Sequence, residues 1–318
     1  MESGALDTKI LFTSDLHASD TFFLKTLTMA KRLTVDILFM SGDLTGKAIV
    51  PIVQVGDHFV SKFFGVDYKL AQNELVEFQQ KVRNVGYYYY ICPKEEYENL
   101  REDPANIEKL FDSAMRTQLE DWIKKLDEVL PKNVRVIMNP GNDDHFSVDD
   151  VLKKSERVMY TEGIVAEIDD AHKMISCDWV NVTPWNSPRE CNEDELEKKL
   201  RVEFQKISST ERLVCDIHVP PFGTQLDLAP KLDKNLKPKT FFGQPIMVHV
   251  GSKAVLKVLK ELQPKLTLHG HIHESAGTCR IGRTLCVNPG SEYVEGIMHG
   301  YFLKLTPDTV DYQPIVGG

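Results

Sequence analysis

The sequence has no cysteine pair at CxxC spacing, no apolar stretch long enough to cross a bilayer, and no excess of basic residues. Each absence removes a class of function. The six cysteines (Cys92, Cys177, Cys191, Cys215, Cys279 and Cys286) form neither a redox nor a thiolate-zinc pattern, and Cys215 lies in an apolar run where buried free thiols are common. All six are therefore expected to be reduced and structural. The start of the chain lacks the basic residues and apolar core of a secretory signal, and with no spanning segment the expected location is the cytoplasm, with no membrane partner. Lys and Arg number 38 against 47 Asp and Glu, a formal net charge of −9 that repels polyanions unless a local patch or bound cations offset it. Long nucleic acid is thus a disfavoured partner. Internal repeats and low-complexity linkers are missing too, while 318 residues with 42% hydrophobic content suffice for a large core.

What is present is a series of short apolar runs with the character of strands buried on both faces: Ile10–Ser14, Val35–Ser41, Val134–Asn139, Leu213–Ile217, Leu266–His269 and Thr284–Val287. Helical periods lie between them. Leu24, Leu27, Ala30 and Leu33 mark one amphipathic face, Leu196, Leu200, Phe204 and Ile207 a second, and Val255, Val258, Leu259 and Leu262 a third. Asn192 with Glu195 suits a capping box, and Ser252 an N-cap. Strands alternating with helices predict an α/β sheet whose ligands sit beyond the carboxyl ends of the strands. The polar residues follow that rule: Asp15 and His17 come after the first strand, Asp43 after the second, Asn142 after the third, His218 after the fourth, and His271 with His273 after the fifth.

Asp43 and Asn142 lie 99 positions apart, where one βαβ unit needs about 30 residues. An insertion of roughly Lys47 to Lys132 is expected there. Its clearest element is a helix capped by Asp103, started by Pro104 and stopped near Pro131, with Ile107, Leu110, Phe111, Ala114, Met115, Leu119, Trp122, Ile123 and Leu126 on one face. A shorter helix carries Ala71, Leu75, Phe78 and Val82, and Ile49–Asp67 reads as extended pieces.

Two carboxylates, an amide and four imidazoles brought to one sheet edge are costly to desolvate, and bound cations supply compensation. Mixed oxygen and imidazole donors suit Mn, Fe, Co, Ni or Zn, whereas calcium favours all-oxygen sites and structural zinc favours thiolates. Seven donors exceed one site. They can hold two ions if one carboxylate is shared, with positions left open for water and substrate.

The blocks Asp15-Leu16-His17, Gly42-Asp43-Leu44-Thr45-Gly46, Gly141-Asn142-Asp143-Asp144, His218 before Val219-Pro220-Pro221, and Gly270-His271-Ile272-His273 stand in order along the chain. In that order the sequence resembles the calcineurin-like metallophosphoesterase superfamily, from Lys9 to about Glu292 apart from the insertion. The resemblance implies a two-sheet α/β/β/α sandwich, a single domain over 1–318 interrupted by a partly helical cap at about 47–132. It implies one ion on Asp15, His17, Asp43 and His273 and another on Asp43, Asn142, His218 and His271, with Asp43 as the bridge and Mn favoured. A hydroxide shared by two divalent cations would attack a phosphate ester of small or medium size, with Asp43, Asn142, Asp143 and His218 as the catalytic set.

Many phosphomonoesterases of the superfamily place a histidine after the metal-binding asparagine to protonate the leaving oxygen. Asp143 stands there instead, in the GNxD form of many diesterase-like members, with Asp144 last. An exposed Asp has a reference pKa of about 3.9 and is a poor proton donor at neutral pH. Phosphodiesterase is therefore the first reading, phosphomonoesterase (a nucleotidase or phosphatase) the second. A non-catalytic scaffold ranks last because every ligand position carries a metal-competent residue. Other features have blander readings: His269 as a packed strand histidine, Gly56-Asp57-His58 as a chance echo, Tyr87–Tyr90 as core of the cap, Trp185 as packing, Asn288-Pro289-Gly290-Ser291 as a turn that helps shape the site, and His145 as a substitute donor that need not face the cleft.

Overall fold

The computed structural model describes residues 7–317. In one six-stranded sheet, Val310–Gly317 and Met298–Leu305 pair antiparallel beside Thr8–Ser14, which continues in parallel to Ile37–Ser41, Arg135–Asn139 and Val158–Met159. In the other, Gly277–Ile281 lies antiparallel on Thr284–Asn288, followed in parallel by Leu266–Leu268, Leu213–Ile217 and Lys173–Cys177, with Ala166–Glu167 antiparallel at the far edge.

Side chains alternate across a strand, and here each face meets a different layer. Ile10, Phe12, Ile37 and Phe39 of the first sheet join Met174, Val214, Leu268 and Val287 of the second in one inter-sheet core. Leu11, Leu38 and Met40 point the other way, into the helix layer. Burial on both faces is why these strands read as unbroken apolar runs.

Helices α1 (Asp20–Arg32), α2 (Leu75–Asn84), α3 (Lys94–Glu102), α4 (Pro104–Val129), α5 (Ser147–Lys154), α6 (Glu193–Gln205) and α7 (Lys253–Leu262) fill the rest. Phe22, Phe23 and Leu27 of α1, Leu119, Trp122 and Leu126 of α4, and Val148 and Leu152 of α5 cover the first sheet. Leu196, Leu200 and Phe204 of α6 with Val255, Val258 and Leu259 of α7 cover the second, giving the α/β/β/α order. The expected N-caps are in place, with Asn192 accepting from the Glu195 amide, Ser252 from Val255, and Asp103 from Ala105 ahead of Pro104, but the Glu195 side chain does not bond back to Asn192 to complete the expected capping box. Leu24 is exposed, because α1 buries the stripe Phe22, Phe23, Thr26, Leu27 and Ala30 that begins ahead of it.

Within residues 47–132, Ile49–Val55, His58–Phe63, Val66–Leu70 and Tyr88–Pro93 make a four-stranded sheet. Its core of Val50, Ile52, Phe59, Phe63, Leu75, Phe78 and Val82 includes one face of α2. The 26 residues of α4 span about 39 Å and serve two places. Phe111, Ala114 and Met115 pack with Tyr88 and Ala18 between the insertion and the body, while Leu119, Trp122 and Leu126 belong to the body's helix layer.

A carboxyl pair sits where the strand Lys173–Cys177 ends. Asp178 is buried and its amide donates to Glu162 Oε2 at 3.3 Å. Burial, with Glu203 nearby, pushes Glu162 up to about 7, and burial with Glu162 beside it pushes Asp178 well above its ordinary value. The folded chain keeps Glu162 protonated where the unfolded chain ionises it, so the unfolded state binds fewer protons and stability falls as pH rises from 4.5 toward about 7. Glu162→Gln should flatten this decline, its Tm dropping less than the parent's across that interval in scanning calorimetry. Parallel Tm profiles would place the titration elsewhere.

Candidate metal centre

The loops that follow the strands carry the chemistry, and their backbones take conformations that side-chain-bearing residues rarely adopt. Asp15, His17, Asp43 and His271 all have φ between 42° and 66°, in the left-handed region where non-glycine residues are uncommon. Such strain persists only where the surroundings over-determine it. Here the loops brace one another: the amides of Asp15, His17 and Ala18 donate to the carbonyls of Gly42, Asp43 and Leu44. Gly141 and Gly270 let the loops close up, because a Cβ on the first would collide with Asp43 and on the second with Ser14 Oγ and Asp15.

The seven expected ligands meet at this edge. Asp15, His17, Asp43 and His273 offer donor atoms all within 4.8 Å of one another, and so do Asp43, His218 and His271. Asn142 Oδ1 joins the second group, 2.7 Å from His271 Nδ1 and 3.1 Å from His218 Nε2. Its amide nitrogen donates to Ser187 Oγ at 2.7 Å and Asp143 Oδ1 at 3.0 Å, which turns the oxygen toward the imidazoles. His17 Nε2 and His273 Nε2 stand 3.1 Å apart, while the carboxylates nearest them, Asp43 Oδ2 and Asp15 Oδ1, are 3.7 and 3.5 Å away.

The electrostatics leave His17, His271 and Asp15 ready to offer lone pairs, whereas His218 is held protonated and would have to release its proton to act as a ligand. Burial holds His17 well below its ordinary value and brings His271 down to about 3, so both rings are neutral. Burial alone would raise Asp15, but the rings of His273, His218 and His17 hold it well below the carboxylate range. Burial, with Asp143 nearby, pushes Asp43 up to about 6, and burial's downward pull on His218 is overcome by Asp43 and Asp15, which carry it to about 9. Nitrogen and oxygen donors converging in two groups that share Asp43 fit a pair of divalent cations.

A family model described as calcineurin-like phosphoesterase matches residues 8–275. The chain belongs to that family. It is accordingly a metallophosphoesterase, a hydrolase of phosphoric esters in a family that uses two divalent metals. An uncharacterized protein of Methanocaldococcus jannaschii is 30% identical over 169 residues, 52% of this chain and 68% of that protein. Two solved structures share the fold, each aligned over 97% of this chain and 99% of its own. One has a TM-score of 0.60 at 18% identity, and the other, TT1561 of Thermus thermophilus, a TM-score of 0.54 at 12% identity.

Around this metallophosphoesterase centre the structure adds residues that no motif announced. Lys47 Nζ lies 2.9 Å from Asp143 Oδ2, and the Tyr293 ring sits 4.5 Å from that of His17 and 5.8 Å from that of His273. Lys47 follows the second block directly, and Tyr293 the Asn288–Ser291 loop, which is the one sequence signal either carried. That loop does hold the site: Ser291 Oγ donates to the Asp15 carbonyl at 2.7 Å and Asn288 to that of Ile272 at 3.0 Å. Trp185, expected to pack, is 58% exposed; its neighbour Ser187 is the loop residue that reaches the centre. His58 lies on the insertion sheet beside Asp57, His145 faces the Phe111 ring, and His269 bonds the carbonyls of Ile217 and Val219 as a core histidine.

Two buried carboxylates position the ligand loops without entering either group. Asp216 accepts from Ser41 Oγ at 2.7 Å and Asn139 Nδ2 at 2.6 Å, across the gap between the sheets. Asp144 accepts from the amides of Leu44, Thr45 and Gly141 at 2.8–2.9 Å and from the Thr45 hydroxyl, tying the second block to the third. Asp144→Ala would leave these buried donors unpaired at a cost of about 3 kcal/mol or more. Urea unfolding should show that loss, with Asp144→Asn falling between. A loss below about 0.5 kcal/mol, the range of ordinary surface substitutions, would remove Asp144 from this role.

Proposed function

We propose that the chain is a phosphodiesterase for small or medium phosphate esters. In this reading Asp15, His17, Asp43 and His273 hold one divalent transition-metal ion and Asp43, Asn142, His218 and His271 the other, Mn being favoured among Mn, Fe, Co, Ni and Zn. Such ions, when bound, lower the pKa of an attacking water and neutralise charge on the phosphoryl oxygens.

The observation that carries the diester reading is the engagement of Asp143. Its Oδ2 accepts from Lys47 and its Oδ1 from the Asn142 amide, so both oxygens serve as acceptors where a monoesterase of the family would place a proton-donating histidine. A leaving group that departs as a stable anion, such as an aryl oxide, needs no such donor. Lys47, a cation at the rim, also suits the extra charge of a monoester, and that keeps phosphomonoesterase as the second reading. The insertion supports a restricted substrate size, since it is tied to the ligand loops on both sides: Tyr88 Oη accepts from the Gly46 amide at 2.8 Å, and Gln118 Nε2 donates to the Ala18 carbonyl at 2.7 Å.

Asp43→Ala should lose at least one metal per chain by elemental mass spectrometry and at least about a hundredfold in turnover. Retention of two ions with a near-normal rate would defeat the ligand assignment. With Mn supplied, kcat/KM for a nitrophenyl diester should exceed that for an alkyl monoester, and Asp143→His should narrow the gap by raising the monoester rate. A parent that prefers the alkyl monoester would reverse the order of the two readings.

A further inference from the structure

From Leu228 to His249 the chain leaves the body as an arm in which no residue is buried and none joins a described hydrophobic core. It is nonetheless built and anchored. Leu228–Pro230 pairs with Met247–His249, and Thr240–Phe241 with Gln244–Pro245. At the base, buried Asp227 accepts from the amides of Gly223, Thr224 and Gly251 and from His249 Nδ1, all within 3.1 Å. Ser275, two positions after His273, clasps Leu228 by donating to its carbonyl at 2.6 Å and accepting from its amide at 2.9 Å. The arm therefore rises beside the metal-centre loops.

Its tip is a tight turn with φ of 46° at Phe242 and 79° at Gly243, a geometry that selects glycine, asparagine or aspartate and makes a bulky residue an outlier. Phe241 is 69% exposed and Phe242 91%, their rings 4.6 Å apart. Leu236, Ile246 and Met247 are exposed behind them. Lys231, Lys234, Lys237 and Lys239 are exposed along the same arm of a chain whose net charge is −9. The arm's one acid, Asp233, spends Oδ1 on the amides of Asn235 and Lys237.

An apolar tip collared by lysines has the chemistry of a peripheral contact with an anionic membrane, where rings enter the headgroup boundary and ammonium groups meet lipid phosphates. We propose that the Leu228–His249 arm docks this metallophosphoesterase on an anionic lipid surface through Phe241 and Phe242, with the four lysines as its electrostatic collar. A second copy of the chain is the poorer occupant, because a stable dimer needs about 800 Å² from each partner and a two-residue hairpin tip presents a point rather than a face. No helix among the described residues is long and apolar enough to cross a membrane, and surface docking does not need one. The inference does not depend on the choice between diester and monoester.

The test is co-sedimentation of the full chain with vesicles of phosphatidylcholine containing phosphatidylserine, and with phosphatidylcholine alone. The parent should pellet with the anionic vesicles and be released by salt. Phe241→Ser with Phe242→Ser should weaken binding at least about tenfold, and Lys237→Glu with Lys239→Glu by at least roughly fivefold for each lysine. Circular dichroism and hydrolysis of a small soluble ester should be unchanged in both. A parent that ignores anionic vesicles, or a double serine variant that binds them equally well, would overturn the proposal. So would light scattering that shows a parent dimer, split by the serine variant, with no vesicle binding.

Discussion

At the edge where the ligand loops emerge, the apolar layer between the sheets gives way to hydrogen bonds. Asp216 reaches from the second sheet to Ser41 and Asn139 of the first, and Asn139 continues to Thr161 and Ser176. These residues stand two or three positions ahead of candidate ligands: Ser41 before Asp43, Asn139 before Asn142, Asp216 before His218. Apolar packing is tolerant of small slides, whereas a carboxylate with two donors fixes both distance and direction. The cost is visible in Asp216, which burial raises to about 6. Once this joint sets the spacing of the two sheets, donors from either side can share one bridging carboxylate.

The same logic accounts for the strain in the loops. Four candidate ligands with left-handed backbones would be a burden on an ordinary turn, yet each is clamped by a neighbouring loop, and Asp144 locks two of those loops together. Pre-organisation of this kind places the unfavourable terms in folding rather than in ion binding, so the donors are already convergent when a cation arrives. The neutral His17 and His271 rings and the ionised Asp15 belong to that preparation, since none need change protonation to act as a ligand.

Much of this was legible because the central strands are buried on both faces. An unbroken apolar run followed at once by Asp, Asn or His marks both the strand and the end at which chemistry gathers, and each of the seven candidate ligands falls on that pattern. The outer strands were harder to see. Met298–Leu305 and Val310–Gly317 carry no ligand, and the latter is a half-exposed edge containing Pro314, so neither periodicity nor motif singled it out. Lys47 and Tyr293 were silent for another reason: their importance lies in proximity to Asp143 and His17, which is a property of loop trajectories rather than of spacing. Trp185 followed the common behaviour of its type in expectation and departed from it in fact.

Helix α4 shows how a continuous apolar stripe can conceal a seam. The periodicity of Ile107 through Leu126 is even, but Phe111, Ala114 and Met115 face Tyr88 and Ala18, and one turn later Leu119, Trp122 and Leu126 help to roof the first sheet. The insertion is consequently not a module that can be lifted out where the chain enters and leaves it. Excising 47–132 would unroof the body, while a graft that keeps α4 from about Met115 onward would preserve the roof and exchange only the insertion's own sheet and α2. Diversification of the insertion can follow the same seam, with new segments spliced onto a retained rod.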